Sequence, residues 1–183
     1  MKKLLGFLLM SIMTFNIQAQ NESKKDMEET IEFQVDSTAV LNLDSTISNL
    51  YAVISGEKGI KRNWEQFKFL FKPDAKLIPS GKDRNDNYLV RYMSPDDYIK
   101  SSGKWLVDNG FFEKEIHRKV DTFGNITQVF SSYEAFHSES EDKPFMRGIN
   151  SIQLFNDGER WWIVNIYWAQ ESEENPIPEK YLH

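Results

Sequence analysis

Apolar residues recur every three or four positions in three segments of the chain, which is the spacing of one face of an α-helix. The first segment follows Asp44, a favourable N-cap residue type, and stops at Gly56. The second starts at Asn63 and ends at Pro73, and the third starts at Ser94. The pattern therefore predicts three helices. Their apolar faces are Ile47, Leu50, Tyr51 and Ile54; Trp64, Phe67, Leu70 and Phe71; and Tyr98, Ile99, Trp105 and Leu106.

Segments that alternate between apolar and polar residues predict strands. Two short strands are expected at 75–78 and 88–93, and four longer ones follow the third helix as two hairpins. The hairpin turns are expected at Phe123-Gly124 and at Asp157-Gly158. Helices followed by a strand meander predict an α+β fold, in which N-terminal helices pack on a curved antiparallel sheet. Such a fold has the shape of a cone, and its mouth can hold a small ligand.

The start of the chain has the pattern of a secretory signal. Lys2 and Lys3 precede an apolar run over 4–15, and polar residues follow Ala19. The apolar run is shorter than a helix needs to span a bilayer core of ~30 Å. We therefore expect a cleaved signal peptide at 1–19 and an exported protein, periplasmic or secreted. A flexible leader is expected at 20–42, the folded domain at 43–170 and a C-terminal tail at 171–183.

Composition narrows the classes of partner and chemistry. The net charge is −6, and it becomes −8 without the two lysines of the signal segment. An acidic protein is a poor ligand for nucleic acids, and it is not expected to bind a membrane surface after cleavage. The absence of cysteine excludes disulfides and thiolate chemistry. The sequence contains no phosphate loop or dinucleotide motif, so no cofactor is expected, and His117 and His137 are predicted too far apart to share a metal.

Several segments resemble the nuclear transport factor 2-like superfamily, in particular its SnoaL-like branch and exported members without an assigned activity. They are Arg-Asn-Trp-Glu-Gln-Phe at 62–67, Leu-Phe-Lys-Pro-Asp-Ala at 70–75, Ser-Pro-Asp-Asp-Tyr at 94–98, and the last hairpin over 148–154 and 157–164. The resemblance implies a cone-shaped fold and frequent sheet-to-sheet dimers. It does not settle the function, since the superfamily includes isomerase-like, dehydratase-like and cyclase enzymes as well as proteins that only bind.

The first turn decides which residues of the first hairpin face inward. With a turn at Phe123-Gly124, Glu113 and Glu115 share a charged face, which we expect outside, and Glu134 lies opposite Glu113. A β-bulge would exchange the two faces beyond it. The polar residues predicted on the inner face are Lys114, Arg118, Ser131 and Tyr133.

In the second hairpin both faces are apolar, so either the tail or a second copy is expected to cover the outer one. We expect a homodimer formed through the sheet. The residues predicted to bind a ligand are Trp64, Lys114, Arg118, Ser131, Tyr133, Asn150, Gln153 and Trp162.

Three functions remain open from the sequence. The first is binding of a small, largely apolar molecule in the cone. The second is cofactor-free isomerase, dehydratase or cyclase chemistry, in which Tyr133 would donate a hydrogen bond to a developing enolate. That chemistry also needs a carboxylate base, and the predicted faces place none inside. The third is a dimeric envelope protein whose partner is another protein.

Overall fold

A computed structural model describes residues 33–183 of the chain. The predicted signal peptide at 1–19 and the leader up to residue 32 lie outside the described residues. No helix within 33–183 has the length and apolar character needed to cross a membrane. The helices are α1 (Leu43–Ile54), α2 (Trp64–Phe69) and α3 (Pro95–Asn109), and the strands are β1 (Phe71–Lys82), β2 (Tyr88–Val90), β3 (Phe112–Phe123), β4 (Ile126–Phe136), β5 (Met146–Asn156) and β6 (Trp161–Gln170).

The strands form one curved, open sheet in the order β2-β1-β6-β5-β4-β3. Strands β3 to β6 form the antiparallel meander that the sequence predicts. Strand β1 lies parallel to β6, and it starts at Phe71, directly after α2, instead of at residue 75. The predicted α+β fold with N-terminal helices on a curved sheet is confirmed, with one parallel strand pair that local patterns do not reveal.

The helices pack on one side of this sheet, which we call the inner face. Its fully buried residues include Val129, Ile152 and Ile163, none of which has exposed surface. Ile47 of α1 and Leu70 after α2 are equally buried against them, in one continuous core. Burying apolar side chains of this size stabilises the fold by roughly 1.5–3 kcal/mol each.

Local signals explain the helix starts. Helix α3 starts after Ser94, as predicted. The Ser94 hydroxyl and the Asp97 carboxylate form a capping box there, with the Asp97 N–H donating to Ser94 at 3.1 Å. Helix α1 begins two residues earlier than expected, because the Asn42 side chain caps it and accepts from the N–H of Ser45 at 2.8 Å. The predicted cap at Asp44 is therefore wrong, and Asp44 lies in the first turn, where a negative charge is favourable.

Part of the predicted leader packs on the domain. Residues Ser37–Val40 form a 3₁₀-helix, and Ala39 and Val40 are buried in the core. The Asp36 N–H donates to Oε1 of Gln66 at 2.7 Å, which attaches this segment to α2. The packed domain therefore begins before Leu43, and two apolar residues were too short a pattern to show it.

A buried arginine ties the helix ends together. The Arg62 guanidinium donates to the carbonyl oxygens of Ile54 at 2.9 Å, Gly56 at 2.6 Å and Leu106 at 3.0 Å. Burial lowers the pKa of Arg62, but guanidinium groups remain charged in proteins. Carbonyl groups at the ends of α1 and near the end of α3 thus obtain the donors that helix termini lack.

The C-terminal tail packs on the opposite side of the sheet, the outer face. The ring of Tyr181 lies 5.0 Å from that of Phe130 between centroids, and the Ser132 hydroxyl donates to the Tyr181 carbonyl at 2.7 Å. Ile177 is buried, and its N–H donates to a carboxylate oxygen of Glu171 at 2.9 Å. The tail therefore covers part of the apolar outer face.

Candidate functional site

The turn between β3 and β4 differs by one residue from the prediction. Phe123 pairs with Ile126, so the two turn residues are Gly124 and Asn125. Gly124 has φ of +59°, the left-handed conformation that tight hairpin turns require and glycine adopts readily. Moving the turn by one residue shifts each cross-strand partner by two, which leaves the faces unchanged near the turn. Arg118 accordingly stays on the inner face, as predicted, although its partner is Ser131 and not Val129.

A β-bulge in the middle of β3 exchanges the faces beyond it. His117 pairs with Ser132 and the next pair is Glu115 with Tyr133, so Ile116 is an extra residue without a partner. Beyond this bulge Glu115 and Glu113 take the inner face. The prediction that these carboxylates lie on the outer face is wrong.

Lys114 moves to the outer face for the same reason. It pairs with Glu134, and its Nζ lies 5.2 Å from the centroid of the Phe136 ring. The predicted inward position of Lys114 is therefore wrong. The observed pairing sets opposite charges across the strands, whereas the predicted register set Glu113 against Glu134.

A second bulge, at Val164 in β6, sets the inner face of the last hairpin. Leu154 pairs with Ile163 but Gln153 pairs with Asn165, so Ile166 and Trp168 face inward beyond it. Asn150 lies opposite Trp168 on the inner face.

Gln153 and Trp162 lie on the outer face, away from the cavity described next. The Gln153 amide donates to Oε1 of Gln128 at 3.3 Å, and the Trp162 indole N–H donates to Asp157 at 2.5 Å. The Lys72 ammonium lies 4.2 Å from the Trp162 ring centroid. Both predicted ligand-binding residues thus have surface contacts of their own.

A cavity of about 210 Å³ lies between the helices and the inner face. Its walls are mostly apolar and aromatic, with contributions from all three helices and from β3 to β6. Of the predicted ligand-binding residues, Tyr133 and Asn150 line it. The polar side chains in the lining are Tyr51, Tyr98, Ser102, Glu113, Tyr133, Asn150 and Gln170.

Glu113 is the one carboxylate in this lining. Its Oε1 accepts a hydrogen bond from the Asn150 amide at 3.1 Å. Burial raises the pKa of Glu113 to about 7, although the Asn150 hydrogen bond acts in the opposite direction. A carboxyl with this pKa exchanges a proton near neutral pH, which is the property of a general base or acid.

Three tyrosine hydroxyls surround Glu113. Burial, followed by the negative charge of Glu113, raises the pKa of Tyr51, of Tyr98 and of Tyr133. All three hydroxyls therefore remain protonated at neutral pH and can donate hydrogen bonds. Within residues 33–183 the hydroxyls of Tyr98 and Tyr133 have no hydrogen-bond partner, so both are free to bind a ligand.

Gly148 allows the Tyr133 ring to lie where it does. The two residues face each other across β4 and β5, and a Cβ atom at position 148 would lie 2.5 Å from the Tyr133 hydroxyl oxygen. A glycine inside a strand often marks such a close approach.

The other predicted residues lie behind or beside the cavity. Ser131 is fully buried, and its hydroxyl donates to Glu115 at 2.5 Å. Arg118 forms an ion pair with Glu115 at 2.6 Å and another with Asp44 at 2.9 Å. Trp64 packs edge-on against Phe67 with ring centroids 5.7 Å apart, a contact within the core.

Aromatic residues gather at one end of the cavity. Trp105 lines it and is 45% exposed, and its ring centroid lies 6.4 Å from that of Phe145. Phe145 stacks on His137 with centroids 4.0 Å apart. No three histidine, aspartate or glutamate side chains in the described part of the chain are grouped so as to hold a metal ion.

No family model and no curated protein matches the sequence. Solved structures with a similar fold are found. A protein of unknown function with a cystatin-like fold from Nostoc punctiforme has a TM-score of 0.55 at 7% identity, over 77% of this chain and 97% of that one. A protein of unknown function from Mycobacterium tuberculosis has a TM-score of 0.55 at 10% identity, over 73% of this chain and 72% of that one. A candidate scytalone dehydratase from Novosphingobium aromaticivorans has a TM-score of 0.51 at 14% identity, over 70% of this chain and 81% of that one.

These likenesses and the observed topology define an α+β cone with a cavity between helices and sheet. The chain has the fold of the nuclear transport factor 2-like superfamily. The resemblance seen in the sequence is thereby confirmed at the level of the fold.

The raised pKa of Glu113 predicts a specific pH dependence of stability. The folded state holds its proton more tightly than the unfolded chain does, so the free energy of unfolding falls as pH rises from 4.5 to about 7. Glu113→Gln removes this loss. We expect the variant to gain about 3 kcal/mol relative to wild type between pH 4 and pH 8, measured by urea unfolding.

Glu134→Gln is the matched control, because Glu134 lies on the outer face 3.9 Å from Arg147. A pH dependence that this variant shares with Glu113→Gln is not specific to the cavity. A constant difference between Glu113→Gln and wild type would show that Glu113 is ionised normally.

Proposed function

We propose that this protein is exported, binds a small and largely apolar molecule in the cavity, and catalyses a cofactor-free proton transfer of the isomerase or dehydratase type. The observation that carries the proposal is the shared position of the Glu113 carboxyl and the unpartnered Tyr133 hydroxyl in one apolar cavity. The sequence predicted the tyrosine, and the bulge in β3 supplies the carboxylate that the predicted faces lacked.

The size of the cavity limits the ligand. Ligand sites commonly measure about 300–1,000 Å³, and an apolar cavity of about 150 Å³ accommodates benzene. A volume of about 210 Å³ therefore suits a molecule with one ring and small substituents. Aromatic walls such as Phe67, Trp105 and Trp168 favour a flat apolar body.

The polar groups suit removal of a proton next to a carbonyl. Glu113 takes the proton from carbon, and the electrons of the C–H bond move onto the carbonyl oxygen as an enolate. Tyr133 and Tyr98 donate hydrogen bonds to that oxygen. If the substrate has a β,γ double bond, Glu113 then returns the proton to the γ-carbon, which gives the conjugated isomer. If it has a β-hydroxyl, Glu113 protonates that group as it leaves, which gives water and a conjugated alkene.

The similar structures support this proposal at the level of fold only. One of them is a candidate dehydratase, and that assignment belongs to the other protein. Binding without chemistry is the second candidate, and the apolar cavity supports it equally. The two differ in whether Glu113 exchanges a proton with the bound molecule.

The test uses simple substrates of the expected class. A panel of monocyclic ketones is incubated with the protein in D₂O, and NMR follows the exchange of α-protons for deuterium. We expect exchange above the buffer rate, with Glu113→Gln reducing it at least 100-fold and Tyr133→Phe by about 10²–10³.

Glu134→Gln serves as the control for this assay and should exchange at the wild-type rate. Ketones that raise the melting temperature without any exchange would support the binding function and refute the catalytic one. A panel that neither binds nor exchanges would refute both functions for ketones.

Export is supported by the charged start and the apolar run at 4–15. We expect the protein recovered from the periplasm or medium to begin at Gln20, as mass spectrometry of the intact chain would show. A chain that keeps Met1 in the cytoplasmic fraction would contradict export.

The homodimer remains a proposal based on the apolar outer face. The tail covers the region around Phe130, while Val164 and Tyr167 are 40% and 45% exposed. We expect light scattering at micromolar concentration to give twice the mass of the chain, and Val164→Lys to reduce it to one. A monomeric mass for wild type would contradict the homodimer and indicate that the tail alone covers the outer face.

A further inference from the structure

A chain of buried hydrogen bonds runs from the cavity to a surface ion pair. The Asn150 amide nitrogen donates to Oε1 of Glu113 and to the hydroxyl of Tyr51, each at 3.1 Å. The Tyr51 hydroxyl lies 2.7 Å from that of Ser131, which donates to Oε1 of Glu115 at 2.5 Å. Asn150, Tyr51 and Ser131 are each at most 7% exposed.

The far end of this chain has a fixed hydrogen-bonding direction. An ionised carboxylate only accepts, and Glu115 is paired with Arg118 through Nε at 2.9 Å and Nη2 at 2.6 Å. Ser131 must therefore donate to Glu115, which leaves its oxygen to accept from Tyr51. Tyr51 has then used its only proton, so it must accept from Asn150.

The consequence appears at Asn150. A side-chain amide can present either two N–H donors or a carbonyl oxygen to the same neighbours. Since Tyr51 can only accept, the NH₂ group must face it, and the second N–H then reaches Glu113. The direction of the whole chain thus keeps a donor on the Glu113 carboxylate.

We infer that Glu115 and Ser131, acting through Tyr51, are positioning residues that hold the Asn150 amide with its NH₂ group toward Glu113. The inference rests on the proposed role of Glu113 as the base. Ser131 and Arg118 were both expected from the sequence to contact a ligand. The inference instead places them behind the cavity, where they help to orient the base.

This series of hydrogen bonds orients the Asn150 amide but does not conduct protons. Transfer of a proton from Glu113 to the surface would have to pass through the Asn150 amide, whose N–H groups do not ionise at neutral pH. A proton on Glu113 therefore does not leave through these hydrogen bonds, and it exchanges with the bound molecule or with solvent through the open cavity.

Glu115→Gln separates the effect of the Asn150 orientation on the pKa of Glu113 from the effect of the Glu115 charge. Glutamine can donate to Ser131, which allows the chain to reverse and the Asn150 carbonyl to turn toward Glu113. Loss of the donor should raise the pKa of Glu113 by about one unit. Removal of a nearby negative charge alone would lower it, so the two explanations predict opposite signs.

Ser131→Ala provides a test without any change of charge. Tyr51 then loses its acceptor, and its nearest alternative is the carbonyl oxygen of a reversed Asn150 amide. We expect the pKa of Glu113 to rise as in Glu115→Gln, and Ser131→Thr, which keeps the hydroxyl, to restore the wild-type value.

The measurement is a pH titration by NMR of protein labelled with ¹³C at the glutamate carboxyl carbons, with the Glu113 signal assigned by its absence in Glu113→Gln. The groups that face Glu113 and could also shift its titration are Tyr51, Tyr98 and Tyr133. Glu115→Gln is the second variant, should Ser131→Ala not fold. Asp44→Asn is the control, because it removes a charge beside Arg118 without touching the chain.

A Glu113 titration that stays at the wild-type pKa in Ser131→Ala, or that falls in Glu115→Gln, would overturn the inference. The titration needs no substrate, so its outcome is separate from that of the exchange assay. A raised pKa in a protein that exchanges no ketone would leave the positioning role in place and remove the catalytic one.

Discussion

The site depends on a single extra residue in β3. Without the bulge at Ile116, strand alternation would set Glu113 and Glu115 on the outer face and Lys114 inside the cone. The bulge turns an amphipathic edge strand so that its two carboxylates face the tyrosines and Asn150. This one bulge therefore gives the cavity its acid–base group, Glu113. It also gives the buried series of hydrogen bonds its final acceptor, Glu115.

Placing Glu113 in an apolar cavity costs stability, and the rest of the fold offsets that cost. The core on the inner face is continuous, and Arg62 joins the ends of α1 and α3 through their carbonyl oxygens. The two inward-facing carboxylates also have different partners. Glu115 has Arg118 as a partner, whereas Glu113 has only a neutral amide, and burial raises the pKa of Glu113.

Sequence reasoning succeeded where structure is determined locally. Helix α3 followed from its start at Ser94, and the meander followed from glycine turns between alternating strands. It failed at the bulges, because tertiary packing determines where they occur. The alternation of apolar and polar residues in a strand does not reveal an inserted residue. One signal was present nonetheless: the predicted register set two like charges, Glu113 and Glu134, opposite each other.

The indole of Trp105 gives the cavity a spectroscopic consequence. Its ring is partly exposed at one end of the cavity, and Trp168 lines the same space. An indole that loses contact with water when a neighbour covers it changes its emission wavelength and intensity. Occupancy of this small volume can therefore be followed by the intrinsic fluorescence of the unmodified chain, without a label and without knowing in advance which molecule occupies it.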